Sequence, residues 1–263
     1  APTYVSIGNN LIGGVSGILT PGQKIGQFYG YKLIGLAQTS DFTDGKPNYP
    51  YPGPASVQHP GVIKYQDTNK DGVITPADRQ VLGNSQPAFT FGWNNNFTWK
   101  NLSVNLFVTG SEGNKVLDLT RFYLNDGIVN FSGVVFNQTQ DWYNHRWTAQ
   151  HPTKDPRYPG VQVGMPFNIS DITSSMVENG SYIRLKSFTI SYVFAKLKVP
   201  KDLTFFVTGT NLITITKYAG FDPEVSSFAG SEYTSNSTAL QQGIDYAAYP
   251  AQRTYTFGVS ANF

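Results

Sequence analysis

The chain has 263 residues, enough for one large domain or two small ones. Nineteen Lys+Arg against seventeen Asp+Glu leave a net charge of +2, too balanced for a nucleic-acid or anionic-membrane surface, so no nucleic-acid partner is expected. Cysteine is absent, which excludes a disulfide framework, a thiolate metal site and a cysteine nucleophile.

Charged residues make up only 14 %, where a soluble domain carries about 25 %. Aromatics also reach 14 %, yet no run approaches the roughly 18 apolar residues of a membrane helix. This balance favours a β protein in an unusual solvent. Ala1 opens the chain without a basic and apolar leader, so an export signal is expected to have been removed or to lie upstream.

In chain order, residues 26–37 read as a strand with imperfect alternation. A long connection over 38–87 follows, and its 47–60 stretch is too rich in Pro for a central strand or a helix interior. Phe89, Phe91, Trp93, Phe97 and Trp99 then alternate with Thr90, Gly92, Asn94, Asn96 and Thr98. The pair Lys100-Asn101 forms a tight turn into a second strand with Leu102, Val104, Leu106 and Val108 on one face. Residues 111–181 are again long, with short helices expected over 114–125 (Val116, Leu119, Phe122 and Tyr123 on one face) and 135–146.

Phe188, Ile190, Tyr192 and Phe194 share one parity while Ile183 and Leu185 lie on the other, so a bulge or register change is predicted near Lys186-Ser187. A short connection, 195–202, leads to a strand-like 203–213, and a long one, 214–252, leads to the clearest strand. There Tyr255, Phe257, Val259, Ala261 and Phe263 alternate with Thr254, Thr256, Gly258, Ser260 and Asn262. The polar faces are mostly Ser, Thr, Asn and Gly, with no charge between Thr254 and Phe263. A water-facing sheet usually carries charges against edge pairing. Connections that alternate long and short are the mark of an outer-membrane barrel with short periplasmic turns. The fold class expected is therefore all-β: an antiparallel transmembrane β-barrel segment with long extracellular loops, its last strand running inward to a periplasmic Phe263.

The sharpest motif is a calcium-loop-like insert over 67–78. Asp67, Asn69 and Asp71 supply oxygens at positions 1, 3 and 5, and Gly72 makes the sharp turn. Val73 would offer its carbonyl, Thr75 a hydroxyl or a water, and Asp78 a carboxylate one methylene shorter than the usual Glu. Ca2+ would then be a structural brace; the other reading is an Asx-turn loop held by its own side chains. His59, His145 and His151 show no metal-ligand spacing. Asp222-Pro223-Glu224 pairs two acids, as glycoside hydrolysis requires, but across a turn-forming Pro, and no catalytic residue is assigned. Loop aromatics (Tyr49, Tyr51, Trp142, Tyr143, Trp147, Tyr158, Tyr233, Tyr246, Tyr249) could stack on a ligand or pack loop against loop.

Several stretches together resemble the C-terminal barrel half of the SusC/RagA class of TonB-dependent outer-membrane transporters. They include Phe28-Tyr29-Gly30-Tyr31-Lys32, Ile63-Lys64-Tyr65-Gln66-Asp67 leading into the Asp-x-Asn-x-Asp-Gly loop, and Arg146-Trp147-Thr148. Gly180-Ser181-Tyr182-Ile183-Arg184-Leu185-Lys186, Asp222-Pro223-Glu224, Tyr249-Pro250, Arg253-Thr254, Phe257-Gly258 and a terminal Phe263 follow in order. The resemblance implies a plugged barrel of which residues 1–263 supply seven or eight C-terminal strands, the plug and earlier strands lying elsewhere. It further implies import of a glycan or oligopeptide, no enzymatic activity, and partners comprising the rest of the barrel, a SusD-like lipoprotein, the TonB complex and outer-membrane lipid of a Bacteroidetes-type cell. Tyr255, Phe257, Val259 and Phe263 resemble the signal by which such barrels are recognised for insertion. The competing readings are a soluble calcium-binding β-sandwich (carbohydrate-binding module or adhesin), a hydrolase using Asp222 and Glu224, and a family member recruited to an outer-membrane assembly or secretion complex.

Overall fold

The computed structural model describes residues 5–9, 14–51, 58–125, 127–131, 134–135, 137–163, 172–195, 199–225, 242–246 and 248–262. The chain divides into two compact units, Ala1–Gln86 with Lys115–Glu178 and Val225–Ala248, and Pro87–Asn114 with Asn179–Glu224 and Tyr249–Phe263.

The second unit is built on one antiparallel sheet of five long strands: β1 (Phe89–Trp99), β2 (Leu102–Glu112), β3 (Tyr182–Ala195), β4 (Asp202–Thr216) and β5 (Thr254–Asn262). Each strand pairs with its neighbour in sequence, so the sheet is a simple meander. The strands hold 9 to 15 residues, as long as or longer than the roughly 9–11 that a tilted strand needs to cross a bilayer. Lys100 turns the β1–β2 hairpin with a positive φ of 52°. Because the strands alternate in direction, the two short connections leave one end of the sheet and the two long ones the other.

The predicted register change is present. Phe107 pairs with Ser187 but Val108 pairs with Leu185, so Lys186 is the extra residue, and β4 answers with Asn211 and Leu212 unpaired between Thr210 and Ile213. The bulge moves Ile183 and Leu185 onto the same face as Phe188 and Ile190.

In the first unit Val5–Asn9, Gly14–Leu19, Gln27–Gly30 and Gln80–Asn84 form a four-stranded sheet, and Leu33–Leu36 pairs with Ile63–Tyr65. A three-stranded sheet joins Val177–Asn179, Lys115–Asp118 and Ile244–Asp245. Phe28, Leu117, Leu119, Ile172, Met176 and Ile244 make one apolar core, and Tyr31, Leu33, Tyr65 and Ile74 another.

Three expectations need correction. Among the described residues the long sheet has five strands, and residues 26–37 contribute instead to two small sheets of the other unit. The helix expected over 114–125 is confined to Leu119–Asn125, because Val116 and Leu117 are buried in a strand whose parallel partner, Ile244–Asp245, lies far along the chain. The second helix is shorter too, Gln140–His145, with Thr139 as its N-cap accepting from the Trp142 N–H.

Candidate functional site: a two-faced sheet and its ionic clasp

Register turns the alternation of single strands into continuous rows. Trp99, Leu102, Tyr192, Phe205 and Val259 are successive cross-strand partners from β1 to β5, and Phe97, Val104, Ile190, Val207 and Phe257 form the next apolar row. The reverse face presents Thr98, Ser103, Ser191, Phe206 and Gly258, then Asn96, Asn105, Thr189, Thr208 and Thr256. Every side chain of the two apolar rows is half-buried or exposed, Trp99 at 59 % and Phe257 at 75 %. A soluble sandwich would bury such rows against a second sheet. Exposed apolar patches of this extent mark a surface suited to another apolar phase.

Hydrogen bonds run along the polar face, from Asn105 Nδ2 to Asn94 Oδ1 (2.9 Å) and between the hydroxyls of Thr189 and Thr208 (2.9 Å). Two of its aromatic side chains, Phe107 and Phe206, lie over Gly92 and Gly258; a Cβ added at Gly258 would collide with the Phe206 ring.

At the long-connection end, Arg184 is 2 % exposed on the polar face of β3. Its Nη2 donates to Asp222 Oδ1 (2.5 Å), its Nη1 to Glu224 Oε2 (2.7 Å) and its Nε to Thr214 Oγ1 (3.0 Å). Lys186 Nζ and the Tyr182 hydroxyl also donate to Glu224, at 3.0 and 3.1 Å. The Ala251 N–H donates to Asp222 Oδ2 (3.0 Å), so one carboxylate fastens the segments that enter and leave the β4–β5 connection. Burial pushes the Asp222 carboxyl up, but its hydrogen bonds from Arg184, Glu224 N–H and Ala251 N–H outweigh that and hold it below the usual carboxylate range. The two acids considered for hydrolysis are thus ion-pair partners. Arg184, which sequence reasoning passed over as a functional residue, is the hub; the available signal was that Arg184 and Lys186 are the sole charges in a 14-residue membrane-length strand.

Residues 67–78 form a tight loop. Asp67 accepts from the N–H groups of Lys70 (2.6 Å) and Gly72 (2.8 Å), and Asp71 Oδ1 accepts from Val73 N–H (2.9 Å). Asn69 Nδ2 donates to Asp71 Oδ2 (2.8 Å). Asp78 is fully buried, its Oδ1 accepting from Thr68 N–H and its Oδ2 from Thr75 N–H, both at 2.8 Å. Burial pushes this carboxyl up and the backbone donors more than reverse it, leaving it lowered. Among the described residues no group of three or more His, Asp or Glu side chains converges to hold a metal ion.

Of the three histidines, His59 Nδ1 meets Pro60 O, away from the others, while His145, which pairs with Asp141, and His151 line one open groove of about 750 Å3 with Asp155, Arg157 and Tyr158. Trp142 and Trp147 are structural, their indole N–H groups donating to Pro159 O (3.0 Å) and Gln38 Oε1 (3.2 Å). Tyr49 packs edge-on against both Phe42 and Tyr51, whereas Tyr143 and Tyr249 are exposed. Tyr233 and Phe263 lie outside the described residues. Tyr255, Phe257 and Val259 stand exposed on the apolar face of β5.

No family model matches the chain. TonB-dependent receptor P3 of Formosa agariphila is 33 % identical over 250 residues, covering 94 % of this chain and 23 % of that protein. TonB-dependent receptor SusC of Bacteroides thetaiotaomicron is 23 % identical over 206 residues, covering 76 % and 17 %. The RagAB peptide importer in its open-open state is similar in structure, with a TM-score of 0.66 at 20 % identity, covering 99 % of this chain and 24 % of that one. The chain is homologous to TonB-dependent receptors, SusC among them. It spans about a quarter of the length of the first of these relatives and of the matched importer chain. Its fold is that of a segment of the SusC/RagA barrel, with β1–β5 as wall strands, and the sandwich reading is set aside.

Proposed function

We propose that this SusC/RagA segment is the C-terminal part of an outer-membrane TonB-dependent transporter that imports a large nutrient, a glycan or an oligopeptide, together with a SusD-like surface lipoprotein. The observation that carries the reading is the two-faced sheet: apolar rows continuous over five strands on one side, rows mostly of small neutral groups on the other. In this reading the first side meets lipid, the second lines the barrel interior, and the long connections face outward as the docking surface of the lipoprotein. The test is uptake in the native cell of labelled oligopeptides and glycans by strains with and without the whole receptor, and with and without TonB. Uptake that needs both, and co-purification of a surface lipoprotein, is the expected result. Companions drawn from an assembly or secretion machine, with uptake unchanged, would make the protein a recruited barrel instead.

Structural calcium at 67–78 belongs to the same proposal. Asp67, Asn69, Asp71, the Val73 carbonyl and Thr75 would supply the oxygens, and Asp78 would have to release a backbone N–H to join them. Limited proteolysis of the loop with Ca2+ and with chelator checks it; protection by Ca2+ is expected, and identical cleavage under both conditions would remove the ion from the account.

A further inference from the structure

Charge is near balance over the whole chain but not at the short-connection end of the long sheet. Between Trp99 and Leu102, and between Ala195 and Leu203, stand four lysines (Lys100, Lys196, Lys198 and Lys201) against one acid, Asp202. That local surplus of three exceeds the +2 of the entire chain. Lys196 and Lys198 lie outside the described residues; Lys100 and Lys201 are exposed. The same end carries the aromatic part of the apolar face, Trp99, Tyr192, Phe194 and Phe205, which are between 43 and 59 % exposed. The Tyr192 and Phe194 rings meet edge-on at 4.7 Å and the Phe194 and Phe205 rings at 5.6 Å, a continuous cluster across β3 and β4. Lys100 Nζ stands over the Trp99 ring, 5.0 Å from its centroid, so its ammonium lies at the margin of the apolar face. The turn that carries it is tied to β3: Asn101 Nδ2 donates to Val193 O (2.5 Å) and the Val193 N–H to Asn101 O (2.9 Å).

A cation set over exposed aromatic rings suits a ligand that is anionic at one end and apolar at the other. A free anion would meet Lys100 but leave Trp99 and Tyr192 bare, and an apolar phase alone would leave the lysines without a counter-charge. We propose that this end of the sheet binds an anionic phospholipid, with Lys100 against its phosphate and its acyl chains along the row Trp99, Leu102, Tyr192, Phe205 and Val259. Lys201 adds a second positive charge at the β3–β4 turn, where Asp202, paired with Ala195 and Asn262 in register, leaves the lysines in excess. The site rests on the reading of the sheet as barrel wall, whose short turns face the periplasm. It goes beyond that reading by selecting which lipids of the periplasmic leaflet gather at the turns. Each lysine near an anionic lipid surface strengthens the association about five-fold.

The experiment uses the whole receptor in detergent, offered phosphatidylglycerol or phosphatidylcholine with the same acyl chains, and counts the lipids retained by native mass spectrometry. The wild type should retain phosphatidylglycerol in preference. Lys100→Asn, whose side chain tolerates the positive φ of 52° at the turn, and Lys201→Gln should each lower that preference about five-fold. Lys217→Gln, which removes an exposed lysine at the long-connection end, should leave it unchanged. Equal retention of the two lipids by the wild type, or a loss in Lys217→Gln as large as in Lys100→Asn, overturns the site and leaves the wall standing. Displacement of phosphatidylglycerol by inorganic phosphate would make the ligand a free anion and overturn it as well. A receptor that stays monodisperse without detergent and retains neither lipid overturns the wall and the site together.

Discussion

Arg184 shows what a single residue contributes at the end of a membrane strand. Its guanidinium is dry and satisfied by Asp222, Glu224 and Thr214, so removing one acid leaves a buried charge short of a partner. Asp222→Asn is expected to cost about 3–5 kcal/mol, read as an earlier loss of heat-resistant gel mobility by the whole receptor. Asp222 has a lowered value in the fold, so its stabilisation is full above the unfolded carboxylate value and is lost as pH falls through the folded one. The wild type should therefore weaken below about pH 4 and Asp222→Asn should weaken less, since it has no such proton to take up. The sequence held half of this site. Asp222-Pro223-Glu224 stood out as paired acids, but their partner lies 38 residues earlier for Asp222, and no local pattern joins the two.

At the scale of the strand, the register decides which substitutions matter. A lysine in place of Phe257, on the apolar row, is expected to cost about 2–4 kcal/mol if it lies near the bilayer midplane, while Thr256→Lys on the opposite face should be close to neutral. Levels of folded receptor in the outer membrane distinguish them, and a greater loss for Thr256→Lys would mean that the faces are assigned the wrong way round. Lys186 offers a sharper case. Deleting it closes the bulge and turns Ile183 and Leu185, or everything beyond them, onto the polar side, so assembly should fail where a Lys186→Ser replacement succeeds. These elements were legible because alternation is local: a parity slip between Leu185 and Phe188 already signals an extra residue. The loop segments were less so. Val116 shares a helical face with Leu119, Phe122 and Tyr123 on paper, and the pairing of Leu117–Asp118 with a parallel strand more than a hundred residues away decides otherwise.

For the whole molecule, the decisive fact is that the sheet of β1–β5 is not closed among the described residues, and its outer strands each keep one edge free. An edge in hydrocarbon leaves backbone N–H and C=O groups without partners, at several kcal/mol each, so lipid tolerates a closed barrel or none. The apolar rows of the same strands are equally intolerant of water. Residues 1–263 expressed alone should accordingly be stable in neither phase: released from membranes by detergent but not by salt, and self-associated through their edges on native gels. Co-expression with the remainder of the receptor should supply the missing strands, convert the material to a species with heat-modifiable mobility, and restore protease resistance to β1 and β5 in particular. If the chain alone were a monomeric, buffer-soluble body with Phe257 protected from aqueous probes, the apolar rows would have found a protein partner within the chain, and the membrane assignment of the sheet would fall with it.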